Sequence, residues 1–371
     1  MKILFTGGGT AGHIYPLIAI YREIVKNYPY SGFEFFYLGP KDNFAKDILG
    51  QEGIRVKTAM AGKIRRYFSL WNIIDFLKFP IGILQAFYHI FVLSPDVIFS
   101  KGGYGCIPVV IAGWILRVPI FMHESDIIPG LANKITSKFS LEVFISFSIN
   151  DTEYFLPQKM LSVGNPIRLE LLSGSEDKAE EVFSLTGEKP VILILGGSQG
   201  AQSVNDKILS ILPKMLQSFE IIHQTGRGNF EQVKKESNVI LPPVLKKYYH
   251  PIDFLATEYL AHAMKSARMV ISRAGSGSIF EIAALGKPSI LVPLKNSAQD
   301  HQTRNAYAFS QKGACMVIEE ENFRPHFILE RIKYLFDRPE KLEEMGQKAK
   351  EFSRPNAAKI IAEYLVTYLN Q

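Results

Sequence analysis

Four runs of glycine stand where short apolar stretches end: Gly7-Gly8-Gly9-Thr10-Ala11-Gly12, Gly102-Gly103-Tyr104-Gly105, Gly196-Gly197-Ser198-Gln199-Gly200 and Gly275-Ser276-Gly277-Ser278. Glycine lets backbone N–H groups come close to an oxyanion, and a helix that follows adds a favourable dipole. Phosphate is the guest that such loops suit. One loop alone is equally consistent with a tight strand-to-helix turn, but four together point to a phosphate-bearing ligand. None is followed by the Lys-Ser/Thr pair of a P-loop, and no ribose-binding acid stands about 20 residues beyond the first. ATPase and dehydrogenase readings are weakened accordingly.

Directly after the first loop comes His13, whose imidazole can take a proton near neutral pH; a cap or core hydrogen bond at a helix start is the bland alternative. In the second half Arg273 stands beside the fourth loop and Glu281 one turn into the helix behind it, followed by Gln299, Asp300, His301, Gln302 and Asn305. A carboxylate such as Glu281 can accept both hydroxyls of a ribose. Gln302 and Asn305, three apart on a predicted helix, present amides on one face towards sugar hydroxyls, unless that face is merely solvated. No Asp-X-Asp pair stands at a strand end, so a metal clamp for a diphosphate lacks its usual ligands, and neither metal nor other cofactor is expected. Backbone amides, helix dipoles and Ser198 would replace it.

Such residues need elements to hold them. Short β-rich runs at Ile3–Phe5, Phe35–Leu38, Val97–Phe99 and Ile120–Met122 alternate with helix-like stretches, and a second series runs through Val191–Leu195, Glu220–His223, Met269–Ser272, Ser289–Val292 and Cys315–Ile318. That alternation predicts an α/β fold with parallel sheets in both halves. At 371 residues the chain exceeds what one core usually fills, so two domains are expected. Gly164-Asn165-Pro166 and the polar stretch Ser173–Lys178 look like hinge and linker. The expected division is 1–165, 166–355, and a C-terminal helix over 356–371 that could pack back on the N-terminal domain.

The formal charge of +6 favours anionic partners, and Cys106 and Cys315 are too few for a disulfide framework or a zinc site, which suits a reducing cytoplasm. Met1–Thr6 holds no signal-peptide core. Ile73–Leu93 approaches spanning length but carries Asp75, Lys78, Pro80, Gln85 and His89, which argues against a transmembrane helix.

Taken in order, Gly8-Gly9-Thr10-Ala11-Gly12-His13-Ile14-Tyr15-Pro16, Lys101-Gly102-Gly103-Tyr104, His123-Glu124, Gly164-Asn165-Pro166-Ile167-Arg168, Gly196–Ala201, Ser272-Arg273-Ala274-Gly275 and Asp300-His301-Gln302 through Asn305 resemble the MurG family across the whole chain. The resemblance implies a GT-B fold, two Rossmann-like domains facing across a cleft. It also implies inverting, metal-independent transfer of N-acetylglucosamine from UDP-GlcNAc to the MurNAc 4-hydroxyl of lipid I, giving lipid II for peptidoglycan, at the cytoplasmic face of the inner membrane. By the same resemblance Ser198 and Gln199 meet the diphosphate, Glu281 the ribose, Gln302 and Asn305 the GlcNAc hydroxyls, and Tyr259 with the backbone of Leu260 the uracil. Thr10, Gly12, Arg168, Arg273, Ser276 and His301 complete the donor side. Gly9, Thr10, Ala11, Gly102, Gly103, Tyr104 and Asp126 form the acceptor side. His13 is the first candidate for the base and Glu124 the second. Where the family commonly continues His-Glu-Gln-Asn, this chain has His123-Glu124-Ser125-Asp126, so an acid that serves as base or repels pyrophosphate replaces an amide.

Lys63, Arg65 and Arg66, followed by Tyr67, Phe68, Leu70, Trp71, Phe76, Leu77 and Phe79, suit an anionic membrane interface; an amphipathic core helix with a solvated basic end is the alternative. Two readings of other kinds remain at this level. A UDP-GlcNAc 2-epimerase of the same architecture would need no lipid surface. A nucleic-acid-binding module would use the positive charge, but beyond residues 63–66 no motif or basic stripe supports it, and nucleic acid is not an expected partner.

Overall fold

A computed structural model describes residues 1–8, 11–62, 70–148, 153–197, 200–295 and 297–371, with the side chains of 70–77 and 298 also outside the description. Gly9, Thr10, Ser198, Gln199 and the basic and aromatic cluster from Lys63 to Leu77 therefore lie outside the described residues or side chains.

The chain forms, in order, β1 (Lys2–Thr6), α1 (Ala11–Asn27), β2 (Glu34–Gly39), α2 (Asn43–Gln51), β3 (Arg55–Thr58), α3 (Leu70–Leu93), β4 (Val97–Ser100), α4 (Ile107–Ile115), β5 (Ile120–Glu124), α5 (Leu131–Thr136), β6 (Glu142–Ile145) and β7 (Met160–Ser162). Then follow α6 (Glu176–Phe183), β8 (Val191–Leu195), α7 (Gln202–Met215), β9 (Glu220–Gln224), α8 (Phe230–Ile240), α9 (Pro243–Lys246), β10 (Tyr249–Ile252), α10 (Thr257–Ser266), β11 (Ala267–Ser272) and α11 (Ser276–Ala284). The last elements are β12 (Ser289–Leu291), α12 (His301–Gln311), β13 (Met316–Val317), α13 (Pro325–Phe336), α14 (Pro339–Phe352) and α15 (Ala357–Leu369).

Two compact units result, Met1–Ile167 with Arg354–Gln371, and Arg168–Ser353. The first holds a parallel sheet in the order β3-β2-β1-β4-β5-β6-β7, the second a parallel sheet in the order β10-β9-β8-β11-β12-β13. Their central strands are apolar on both faces: Ile3, Leu4 and Phe5 in β1 and all of Val191–Leu195 in β8 are buried. That is what helices on both sides of a parallel sheet require.

The C-terminal helix α15 belongs to the first unit. Ile361, Leu365 and Val366 join the core of Ile3, Ile14 and Leu17, and Tyr364 and Tyr368 meet the ring of Phe121 edge-on. Helix α3 contains Pro80, and among the described residues no helix is long and apolar enough to cross a membrane.

Candidate functional site

In a doubly wound sheet, ligands settle beyond the carboxyl ends of the strands where the strand order reverses. In the N-terminal unit that point lies between β1 and β4. The chain leaves β1 through Gly7-Gly8, and Ala11, Gly12 and His13 open α1, which has no acid in its first turn. The N–H groups of a helix's first turn precede any intrahelical acceptor, and this helix start faces that point. The loop after β4 runs through Gly102 and Gly103 at φ +89° and +84°, and Tyr104 begins a single 3₁₀ turn. A Cβ on Gly102 would lie 2.2 Å from Asn133 Oδ1, and one on Gly103 2.6 Å from the Gly8 carbonyl and 3.2 Å from His13 Nε2. Only glycine lets this loop lie against the imidazole.

Around the loops sits a cluster of buried ionisable groups. Glu124, the last residue of β5, accepts from Asn133 Nδ2 at 2.7 Å and from the Asp126 N–H at 2.9 Å. Burial and the neighbouring Asp126 push its carboxyl up to about 7, against those hydrogen bonds and Lys101. Lys101 is 2% exposed and donates to Ser125 Oγ; burial lowers it to about 8 against the pull of Glu124 and Asp126. His13 is brought down to about 4 by its dense surroundings and then by Lys101, with Asp126 acting the other way. His123 Nε2 donates to the Gly164 carbonyl at 2.9 Å, and burial and Lys101 hold that imidazole well below its ordinary range. The structure thus gathers His13, Glu124, Gly102, Gly103 and Tyr104 on one edge, with the Asp126 backbone tied into it.

In the C-terminal unit the order reverses between β8 and β11. Gly197 follows β8 at φ +86° with nothing within 4 Å of the place a Cβ would take, and α7 begins without a side-chain cap. Open space at Gly197 ahead of a helix start is an arrangement that suits phosphate oxygens. Gln224 at the end of β9 fixes it: its Nε2 donates to the Gly197 carbonyl at 3.2 Å while its Oε1 accepts from the Leu255 N–H at 3.1 Å. Gln224 drew no notice in the sequence, where a glutamine ending an apolar run carries no signal.

Glu281 lies on α11 and is already held. Arg168 Nε and Nη2 donate to its two oxygens at 2.8 and 2.9 Å, and Arg168 Nη1 donates to Thr257 Oγ1 at 3.3 Å. Ser276 opens the same helix and is buried. Arg273 is engaged with Glu320 at 3.0 and 3.1 Å and with the Val292 carbonyl at 3.2 Å. Burial opposes ionisation of Glu320, yet the hydrogen bonds from Arg273, Ser203 and the Lys295 N–H hold it down at about 2. That places Arg273 as a brace beneath the loop after β11.

Before α12, Gln299 and Asp300 are both left-handed, at φ +56° and +57°, a strained turn of the kind that gathers at ligand sites. It delivers His301 to the helix start. Gln302 accepts from the Leu294 N–H through Oε1 at 2.9 Å, and Asn305 is fully buried, which removes the solvated-face alternative for Asn305. Tyr259 is 46% exposed on α10, beyond the sheet-edge strand β10. Of the Leu260 backbone, the N–H is bonded to the Ala256 carbonyl at 2.8 Å, while the first-turn N–H groups of Thr257, Glu258 and Tyr259 precede any intrahelical acceptor. Among the described residues, no group of three or more His, Cys, Asp or Glu is placed to hold a metal ion.

Comparison with known proteins matches each unit separately. The glycosyltransferase family 28 N-terminal domain matches residues 3–145 and the family's C-terminal domain residues 191–361. A Clostridium tetani protein named UDP-N-acetylglucosamine–N-acetylmuramyl-(pentapeptide) pyrophosphoryl-undecaprenol N-acetylglucosamine transferase is 38% identical over 341 residues, 92% of this chain and 91% of that one. A Bacillus cereus protein of the same name, numbered 2, is 36% identical over 361 residues, 97% of each chain. The crystal structure of Acinetobacter baumannii MurG shares the fold at a TM-score of 0.74 over 99% of both chains, with 22% identity.

Proposed function

The chain belongs to glycosyltransferase family 28 and within it to the MurG family, and from that membership we propose that it transfers GlcNAc from UDP-GlcNAc to the MurNAc of lipid I, forming lipid II. The observation that carries this reading is that 36–38% identity to transferases runs through both units, so an acceptor side is retained as well as a nucleotide side. A 2-epimerase would require only the latter.

On the donor side, the loop Gly196–Gly200 and the start of α7 take the diphosphate, Arg168 and Glu281 the ribose, and the strained turn with His301, Gln302 and Asn305 the sugar. On the acceptor side, Gly102, Gly103, Tyr104 and the start of α1 take the pyrophosphate. His13 is the base. It stands neutral at pH 7, and the negative charge of the arriving pyrophosphate raises its affinity for a proton. The 4-hydroxyl gives its proton to His13 while its oxygen attacks the anomeric carbon. The bond to UDP breaks on the opposite face, inverting the centre, and the charge left on the β-phosphate is met by backbone N–H groups. Glu124 is the weaker candidate because both its oxygens are engaged.

The enzyme works at the inner face of the cytoplasmic membrane. Ile81, Leu84, Tyr88 and Phe91 form an exposed stripe along α3, with Trp114 and Ile115 exposed on the adjacent α4, an apolar surface that suits an anionic lipid interface. The deciding experiment measures UDP release from UDP-GlcNAc with and without a lipid I analogue, in EDTA. Acceptor-dependent release at full rate is expected. Release without acceptor, accompanied by free N-acetylmannosamine, would replace the transferase with an epimerase, and strict dependence on magnesium would remove the metal-free scheme.

A further inference from the structure

Among the described residues Lys101 is the most deeply buried lysine, 2% exposed, and nothing in the transfer chemistry above uses it. Burying an ammonium group is costly unless neighbouring charges compensate it. Its position is fixed by the sheet: the Lys101 N–H bonds to the Thr6 carbonyl at 2.8 Å, extending the β1–β4 pairing by one residue. Gly7 lies between Lys101 and His13, since a Cβ there would stand 3.4 Å from one Cβ and 3.6 Å from the other. The ammonium donates to Ser125, the residue between Glu124 and Asp126, and Ser125 Oγ in turn donates to Asn165 Oδ1 at 3.3 Å.

We propose that Lys101 is a positioning residue of the acceptor site: its ammonium is the counter-charge that lets two carboxylates, Glu124 and Asp126, stand where a diphosphate must bind, and it biases His13 towards the proton-accepting form. The proposal rests on the transfer reading for its kinetic consequences but not for its electrostatic ones. The counter-charge also gives the acid at position 126 a physical reason: with Lys101 beside it, the carboxylate adds no uncompensated repulsion. Among the described residues, Lys101 and Asp126 act on His13 directly, His123 and Glu124 on β5 share Lys101 with it, and Tyr37 and Cys106 bond to the carbonyls of the glycine loops beside it. Burial raises the last two, Cys106 to about 11, so neither changes charge near neutrality.

The test follows the imidazole of His13 by NMR in labelled protein, its resonance assigned by loss in His13→Gln. Removing a nearby cation raises a histidine's proton affinity and removing a nearby anion lowers it. Lys101→Met should therefore move the His13 titration up by about one pH unit, Asp126→Asn should move it down, and the double variant should return it towards wild type. Lys101→Arg, which keeps the charge, should leave it in place. In the transfer assay Lys101→Met should raise the KM for the lipid I analogue roughly tenfold with little change in KM for UDP-GlcNAc, and the acid limb of kcat/KM should move with the imidazole. If Lys101→Met proves too unstable to titrate, the Asp126→Asn and Lys101→Arg shifts decide. A His13 titration that stays in place in folded Lys101→Met or in Asp126→Asn overturns the proposal. Titrations that move as stated in a protein showing no acceptor-dependent UDP release would sink the transfer reading and leave the electrostatic role of Lys101 standing.

Discussion

At the scale of single residues, chemistry shows in the sequence but pairing does not. His13 and Glu281 stand out by type and place, yet Glu281 is held by Arg168 from 113 residues away, and Arg273 by Glu320 from 47 residues away. Local spacing carries no trace of such partners. If His13 takes the acceptor proton, His13→Ala should lower kcat by roughly 10²–10⁴-fold, the usual share of general acid–base catalysis, while leaving UDP-GlcNAc binding intact. Near-normal turnover would pass the role to Glu124. Arg168 and Glu281 each occupy the other, so a ribose can reach the carboxylate only through the lone pairs that the arginine leaves. Glu281→Gln should raise the KM for UDP-GlcNAc by about tenfold, about 1.4 kcal/mol, and leave the acceptor KM alone; equal changes in both would take Glu281 out of the donor site.

At the scale of elements, central strands such as β1, β4, β8 and β11 were legible because they are apolar on both faces, whereas the edge strands β3, β7 and β10 were not. The strand β3 reads Arg-Val-Lys-Thr with charged, exposed side chains, and β10 carries Pro251, which an edge strand tolerates and a central one does not. Between β9 and β10 lies a buried hydrogen-bond chain in which His223 meets Tyr249 at 2.9 Å and Asn205 at 3.1 Å. Burial pushes His223 down from 6.5 to about 3. Above pH 6.5 neither folded nor unfolded chain protonates it, so its contribution is constant. As pH falls from there towards 3, the unfolded chain takes up a proton that the folded chain refuses, and stability declines. His223→Gln should be less stable at pH 7 but lose less on acidification, measured as the urea midpoint between pH 7 and pH 4; parallel curves would count against it. On α3, Leu84 and Phe91 are 71% and 67% exposed. Leu84→Glu with Phe91→Glu should abolish cosedimentation with anionic vesicles while sparing turnover of a short-chain, soluble lipid I analogue. Undiminished cosedimentation would move the membrane contact elsewhere.

At the scale of the whole molecule, the chain leaves the N-terminal unit after Ile167, builds the C-terminal unit, and returns at Arg354. The exit lies just beyond Gly164-Asn165-Pro166, where the sequence suggests a hinge, and the return lies two residues before the helix set apart at 356–371, whose apolar spacing names a buried face and not its partner. The exit is tied to the end of β5: Gly164 accepts from His123, Asn165 from Ser125, and Gly164 packs so closely on Arg354 that a Cβ there would lie 2.3 Å from the arginine's own. The return helix carries much of the first unit's core. Fully burying Ile361, Leu365 and Val366 contributes roughly 5–9 kcal/mol at about 1.5–3 kcal/mol each, an upper estimate on the scale of the roughly 5–15 kcal/mol that holds a domain together. Deleting residues 357–371 should therefore unfold the N-terminal unit and expose Phe121 and Phe144, read as loss of transfer and gain of dye binding. Calorimetric binding of UDP should persist, since Arg168, Glu281 and the Gly196–Gly200 loop all lie in Arg168–Ser353. Loss of both together would mean that the C-terminal unit depends on α15 as well, and a truncated chain that still transferred would show that the return helix is dispensable.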